Sequence, residues 1–163
     1  MAYDRFISKQ WLKRMERSKD PNSNIIMTHL LVEYGLNYLI GAHCSNSKVI
    51  LNDHRAYTFA VKLNFVFAMK LIPEELYTNI RKLNNIRNTY AHELNVNFKT
   101  VDLCFHDPEK RVEVKDFSKN KYFSDPPTEE QIQNVVGWIG LVTFGWIHKL
   151  ILGLPQKTEK IVH

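Results

Sequence analysis

Cysteine is scarce in this chain: Cys44 and Cys104 are the only two, and they belong to no CxxC pair. Neither a disulfide framework nor a four-ligand zinc site has support, and such cysteine usage fits a reducing, intracellular setting. The opening stretch, MAYDRFISKQWLKRMERSKD, lacks the uninterrupted apolar core of a secretion signal, so a cytoplasmic protein is expected. There is no GxGxxG stretch and no phosphate-loop motif, which leaves the common nucleotide-hydrolysing chemistries without a cradle. Seven histidines are present, yet no two stand at the i, i+4 spacing of a helical zinc pair. Neither a metal nor a cofactor is therefore expected. No internal repeat or low-complexity tract is found.

What is there is ordinary globular material. At 163 residues, with 44% hydrophobic and 24% charged, the chain suits a single domain over 1–163 with its own core. Its formal net charge is +5, and basic residues gather at Lys9, Lys13, Arg14, Arg17 and Lys19 and again around 110–121. That balance permits contact with nucleic acid, although solubility is served by the same charge.

Hydrophobic spacing predicts five helices. Over residues 3–18, Phe6, Ile7, Trp11, Leu12 and Met15 line one side while Lys9, Lys13 and Arg17 recur every fourth position on another, a solvated ridge or a phosphate-binding one. SKDPNSN breaks this helix. From Ile25 to about Cys44 the chain is apolar almost all round, with His29, Glu33 and Asn37 as one narrow polar line. SNSKVILNDH reads as a loop whose Asn52 or Asp53 caps a helix over Arg55–Leu71 that buries Phe59, Ala60, Leu63, Val66 and Phe67. Pro73, Glu74 and Glu75 suit the start of a fourth helix, which runs to about Leu94 with Asn95 as its stop and Leu76, Ile80, Leu83, Arg87, Ala91 and Leu94 as its stripe. Residues 96–127 fit either a hairpin of two short strands around His106 to Glu109 or a loop with a helical turn. Thr128 and Gln131 form a capping box for a last helix from about Glu129 to Gly153. The expectation is an all-α bundle of about five helices with an irregular or small hairpin insertion at 96–127.

The last helix carries the stretch VVGWIGLVTFGWIHKLILGL, twenty residues and just long enough to span a bilayer, which would make the protein membrane-associated through this segment. Gly137, Gly140 and Gly145 lower its hydrophobicity and Lys149 lies inside it. A central bundle helix, with glycines that let neighbouring backbones approach, accounts for the same residues, and no membrane partner is expected.

One stretch breaks the pattern. IRNTYAH, residues 86–92, puts Arg87 on a core-facing stripe and His92 five positions later. At about 100° per residue the two side chains diverge by roughly 140°, so a local break, the reach of arginine or a second subunit must bring them together. In a two-fold dimer packed through this helix, the edges of both chains line one cleft. The alternative is structural: Arg87 as a half-buried arginine paired with Glu33, and His92 as a surface histidine favoured by the helix dipole.

IRNTYAHEL is similar to the Rx4-6H motif of the HEPN superfamily (higher eukaryotes and prokaryotes nucleotide-binding). The longer stretch AYTFAVKLNFVFAMKLIPEELYTNIRKLNNIRNTYAHELNVNF, residues 56–98, resembles the mannitol operon repressor branch of that group. The resemblance implies an all-α bundle, usually a homodimer, and in many members a metal-independent endoribonuclease acting as a toxin or defence effector, with RNA as substrate. It would make Arg87 the holder of the scissile phosphate and His92 the general acid or base for attack by the ribose 2′-OH. Asn88 would orient the phosphate or the histidine, Tyr90 would stack on a base, and Glu33 would position Arg87. An antitoxin protein is a partner implied by the same analogy. The repressor-like branch also implies an alternative, a non-catalytic transcriptional regulator or dimeric interaction module, although no helix-turn-helix is evident.

Overall fold

The computed structural model describes residues 5–18, 20–92, 105–107, 112–115 and 128–152. Six helices occupy most of these: α1 (Arg5–Arg17), α2 (Pro21–His43), α3 (Ser47–Asn52), α4 (Phe59–Ala68), α5 (Glu74–His92) and α6 (Glu129–Leu152). The fold is all-α but for one small hairpin. In it, β1 (Phe105–Asp107) pairs antiparallel with β2 (Val112–Lys115), His106 lying opposite Glu113, and the register shifts between Phe105 and His106. The hairpin reading of this region is the one the structure adopts; the rest of 96–127, with Leu94, Asn95 and Cys104, lies outside the described residues.

α2 is the axis of the molecule and touches each of the other five helices. It starts earlier than its apolar run suggests, because Asp20 caps it. The Asp20 carboxylate accepts from the backbone N–H groups of Asn22 (3.3 Å) and Ser23 (3.0 Å), and Pro21 takes the first turn, where no N–H is needed. The Ser23 hydroxyl, which also donates to this carboxylate, and then the Ser23 N–H hold the Asp20 carboxyl below its usual range.

Ile25, Leu31, Val32, Leu36, Leu39 and Ile40 of α2 are buried. It is not apolar and buried all round, however: Ile26 and Leu30 are 51% and 58% exposed, while His29 on the polar line is buried. The reason is angular. At about 100° per residue, Asn24 and Thr28 turn toward α1 and α6, His29 and Glu33 turn toward α4 and α5, and Ile26 and Leu30 fall in the gap between those flanks. By length and composition Asn22–His43 could cross a membrane, but half of its apolar window is buried within the protein.

The α6 flank is closely packed. A methyl group on Gly35 would stand 2.7 Å from Ile147 Cδ1, and one on Gly140 would stand 2.6 Å from Trp11 Cζ2 and 2.8 Å from Thr28 Cγ2. At Gly140 the neighbour is a rigid indole, so that position requires glycine as α2, α6 and α1 now lie, whereas at Gly35 the end of the Ile147 side chain would have to turn aside. Gly137 and Gly145 are not held this way. The capping box of α6 is present, Thr128 N–H donating to Gln131 Oε1 at 2.9 Å and Gln131 N–H to Thr128 Oγ1 at 3.3 Å. Val135, Val136, Thr143 and Ile147 are buried, as a core helix requires.

Other expectations are corrected. SNSKVILNDH is not all loop: its middle is α3, whose Ile50 reaches the core. Asp53 caps a turn instead of a helix, accepting from the N–H groups of Arg55 (3.1 Å) and Ala56 (3.0 Å), so the next helix waits until Phe59. In α4, Phe59, Leu63 and Val66 are buried as the spacing predicts, but Ala60 is exposed and Phe67 only half-buried. In α1, Trp11 is buried and the basic ridge of Lys9, Lys13 and Arg17 exposed, while Leu12 points outward. Past the end of α4, Lys70 adopts φ 57° and the Leu71 N–H closes onto Val66 O at 3.2 Å, a left-handed stop without glycine.

Candidate functional site

α5 carries the motif. Leu76, Asn79, Ile80, Leu83 and Ile86 are buried along it and Tyr90 packs partly on the core. Arg87 and Ala91 therefore do not continue the stripe: Arg87 is half-buried at its margin and Ala91 is exposed. Burying isoleucine at 86 in place of a guanidinium at 87 avoids stripping a permanent charge of water.

At that margin Arg87 Nη1 donates to Asn88 Oδ1 at 3.0 Å, and among the described residues the guanidinium meets no carboxylate. His92, at the last turn of α5, is exposed. The helix between Arg87 and His92 is continuous, so within one chain the roughly 140° divergence stands. Asn88 touches Arg87 as a supporting residue should. Tyr90 is half-buried beside them.

Facing this edge, α2 presents a polar seam. His29 Nε2 lies 3.1 Å from Asn84 Oδ1, one turn before Arg87 and Asn88, and the His29 ring packs on Phe59 with centroids 3.9 Å apart. With an amide oxygen opposite it, Nε2 carries the ring proton and donates. Burial lowers the His29 pKa below its usual 6.5; the Asn84 bond opposes this, the Arg87 charge adds to it and Glu33 opposes it. His29 is therefore a neutral ring at pH 7.

Glu33 is paired with Lys62 and is not seen on Arg87. Its Oε1 accepts from Lys62 Nζ at 3.0 Å, a pair in which the lysine side chain is 0% and the glutamate 27% exposed. An ammonium enclosed in α4 has no route to water and must be met by a carboxylate, whereas Arg87 at its margin keeps part of its hydration.

His29, Lys62 and Asn84 were not among the residues that the sequence singled out for Arg87. A signal existed for Lys62: in FAVKLNFVFA it is the one charge, set three after Phe59 and four before Val66, on the buried side of a helix whose other polar residue is Asn64. For Asn84 it was the i+3 and i+4 spacing to Arg87 and Asn88. Nothing in sequence pairs either with α2.

Among the described residues no group of three or more histidine, cysteine, aspartate or glutamate side chains could hold a metal ion. Comparison with protein-family models, with curated proteins and with solved structures finds no significant match.

Proposed function

We propose that the chain is a metal-independent endoribonuclease of the HEPN kind, working as a homodimer in the cytoplasm as a toxin or defence effector, with an antitoxin protein as its regulator. One observation carries this reading: Arg87 is kept at the surface margin with an amide partner and, among the described residues, no carboxylate, on a helix edge that ends in an exposed histidine. A planar guanidinium in that state suits the two non-bridging oxygens of a phosphodiester and the charge that grows on them as phosphorus becomes five-coordinate. His92 takes the proton from the 2′-OH as it attacks the adjacent phosphorus, or supplies one to the departing 5′-oxygen. The products are a 2′,3′-cyclic phosphate and a 5′-hydroxyl. Asn88 steers the guanidinium through its 3.0 Å bond.

Because Arg87 and His92 diverge on one continuous helix, a local break does not join them, and in this reading a second copy juxtaposes the arginine of one protomer with the histidine of the other. Ile26 and Leu30, exposed on the α2 face between its packed flanks, offer apolar surface for that contact. The alternative, a non-catalytic regulator or interaction module of the same fold, predicted Arg87 saturated by Glu33. The Glu33–Lys62 pair leaves that reading without its signature.

The test is cleavage of a mixed RNA pool by the purified protein in excess EDTA, beside Arg87→Ala and His92→Ala variants checked for folding and dimerisation. Cyclic phosphate ends are expected, with each variant slower by about a hundredfold or more. Wild type as inert as both variants across several RNA classes would return the protein to the regulator reading.

A further inference from the structure

α5 carries a second feature on the face it turns to solvent. Tyr77 stacks on Phe67 of α4, with ring centroids 4.2 Å apart and planes 15° from parallel, and its hydroxyl donates to Asn64 Oδ1 at 2.8 Å. The guanidinium carbon of Arg81 lies 5.6 Å from the centroid of the same ring, within the reach of a cation–π contact. A ring fixed by a stack and a hydrogen bond gives this exposed arginine a platform. It therefore has less freedom to lose when it meets an anion.

The place of that platform on the helix gives it meaning. At about 100° per residue, Asn85, Asn88 and His92 all lie within roughly 40° of Arg81. They form one line along α5, on the side away from Leu76, Leu83 and Ile86. Arg81, Asn85 and His92 are exposed and Asn88 half-buried, with β1 packed against the same helix. An arginine can only donate, so Asn88 turns Oδ1 to Arg87 Nη1, and its Nδ2 is the end with hydrogens to offer an acceptor. From Arg81 to His92 the line runs about 16 Å. In sequence, no aspartate or glutamate occurs from Leu76 to His92, while Arg81, Lys82 and Arg87 do. Glu74, exposed on the same line two turns before Arg81, closes it at that end.

We propose that this line is a binding track for single-stranded RNA, in which Arg81 holds a backbone phosphate several nucleotides from the bond at which His92 acts. The proposal rests on the reading of His92 as a residue at the cleaved bond, and it names the form of RNA that reading leaves open. Charge gives the class of partner: a cation and amide donors without an intervening acid suit a run of phosphates. Length gives the span, about five stacked nucleotides at about 3.4 Å each and fewer where the strand is stretched. Chemistry gives the strandedness. A 2′-OH must attack its own phosphorus in line with the departing 5′-oxygen, a geometry that A-form stacking prevents and an unpaired strand permits. Because Arg81 touches a part of the substrate that does not react, it contributes to affinity and leaves the bond-breaking step unchanged.

Fluorescence anisotropy of the full-length protein with 2′-O-methyl oligouridylates tests the track, since these strands lack the attacking hydroxyl and stay whole during titration. An octamer reaches from His92 to Arg81; a trimer, with two internal phosphates, does not. Arg81→Ala is expected to weaken octamer binding about fivefold and to reduce the slope of log affinity against log salt by about 0.7, the contribution of one phosphate on a single strand. Trimer binding should change by less than about twofold, and Arg81→Lys, which keeps the charge, should return the octamer to within about twofold of wild type. An arginine that only steadies Tyr77 would move neither the length dependence nor the salt slope. Equal losses at both lengths, an octamer indifferent to Arg81→Ala, a paired octamer bound as tightly as the single strand, or a wild type that binds no oligomer would each overturn the proposal. Octamer binding through Arg81 in a protein that cleaves no unmodified RNA would remove the nuclease reading and leave the track standing. Cleavage that persists while Arg81→Ala leaves octamer affinity unchanged would do the reverse.

Discussion

The two flanks of α2 are built on opposite plans. Toward α1 and α6 the contact depends on missing side chains, Gly35 under Ile147 and Gly140 under Trp11 and Thr28, and the helices come close because nothing stands between them. Toward α4 and α5 the contact is made by polar groups, His29 with Asn84 and Glu33 with Lys62, held between apolar layers such as Phe59, Ile80 and Leu83. The first flank gains dispersion and burial with little choice of partner. The second costs desolvation and returns specificity, because each polar group must find its own counterpart. Arg87 lies at the edge of the second flank, where the polar inventory is richest. The lesson is that the fold rests mainly on one side of its central helix, and the chemistry is arranged on the other.

The comparison can be broken most forcefully on the small-residue flank. Gly140→Ala should cost about 2 kcal/mol, because the new methyl group must displace a rigid, buried indole and Thr28 together, whereas Gly145→Ala, with nothing within 4 Å, should be neutral or gain a few tenths of a kcal/mol from helix propensity. Urea unfolding of the two variants side by side measures the contrast. A loss of similar size at both positions would dismiss the close-approach account.

A smaller effect sharpens the polar flank. His29 is buried neutral, and its folded pKa lies below 6.5. As pH falls below about 6.5 the unfolded ring takes up a proton that the folded ring refuses, so stability present above that value is lost progressively toward the folded pKa. Urea midpoints between pH 7.5 and 5 should decline in the wild type and decline less in His29→Gln. Parallel curves would mean that the ring titrates alike in both states.

The smallest effect lies away from both flanks. Lys70 holds φ 57° at the stop of α4, a conformation that glycine adopts without steric cost. Lys70→Gly should raise stability by about 0.5 kcal/mol in the same assay, and a loss would show that the lysine side chain stabilises the turn in another way.

Much of this was legible in the sequence. Leu76, Ile80 and Leu83 and the Thr128–Gln131 box announce themselves by spacing, because a helix repeats every 3.6 residues and caps use few residue types, whereas of the three glycines of α6 only Gly140 is a close approach. The beginning of α2 was misread because Pro21 looks like a breaker until Asp20 is seen to cap the helix it begins. Arg87 was assigned to the middle of a stripe because its spacing from Leu83 fits, but Ile86, one residue earlier, turns the buried face away from it. The true partner of Glu33 was beyond reach: Lys62 is twenty-nine residues away, and only the packing of α4 on α2 brings them to 3.0 Å. Spacing reveals which residues share a face, and says little about which faces meet.

The claim that Arg87 belongs to a site, and is not a strut of the fold, is tested most directly by the urea unfolding free energy of Arg87→Ala. A guanidinium at the margin with one amide partner among the described residues contributes little, so the variant should lie within about 0.5 kcal/mol of wild type, the range of ordinary surface substitutions. A loss of about 3 kcal/mol or more, the signature of breaking a buried ion pair, would make Arg87 a structural arginine and contradict the account.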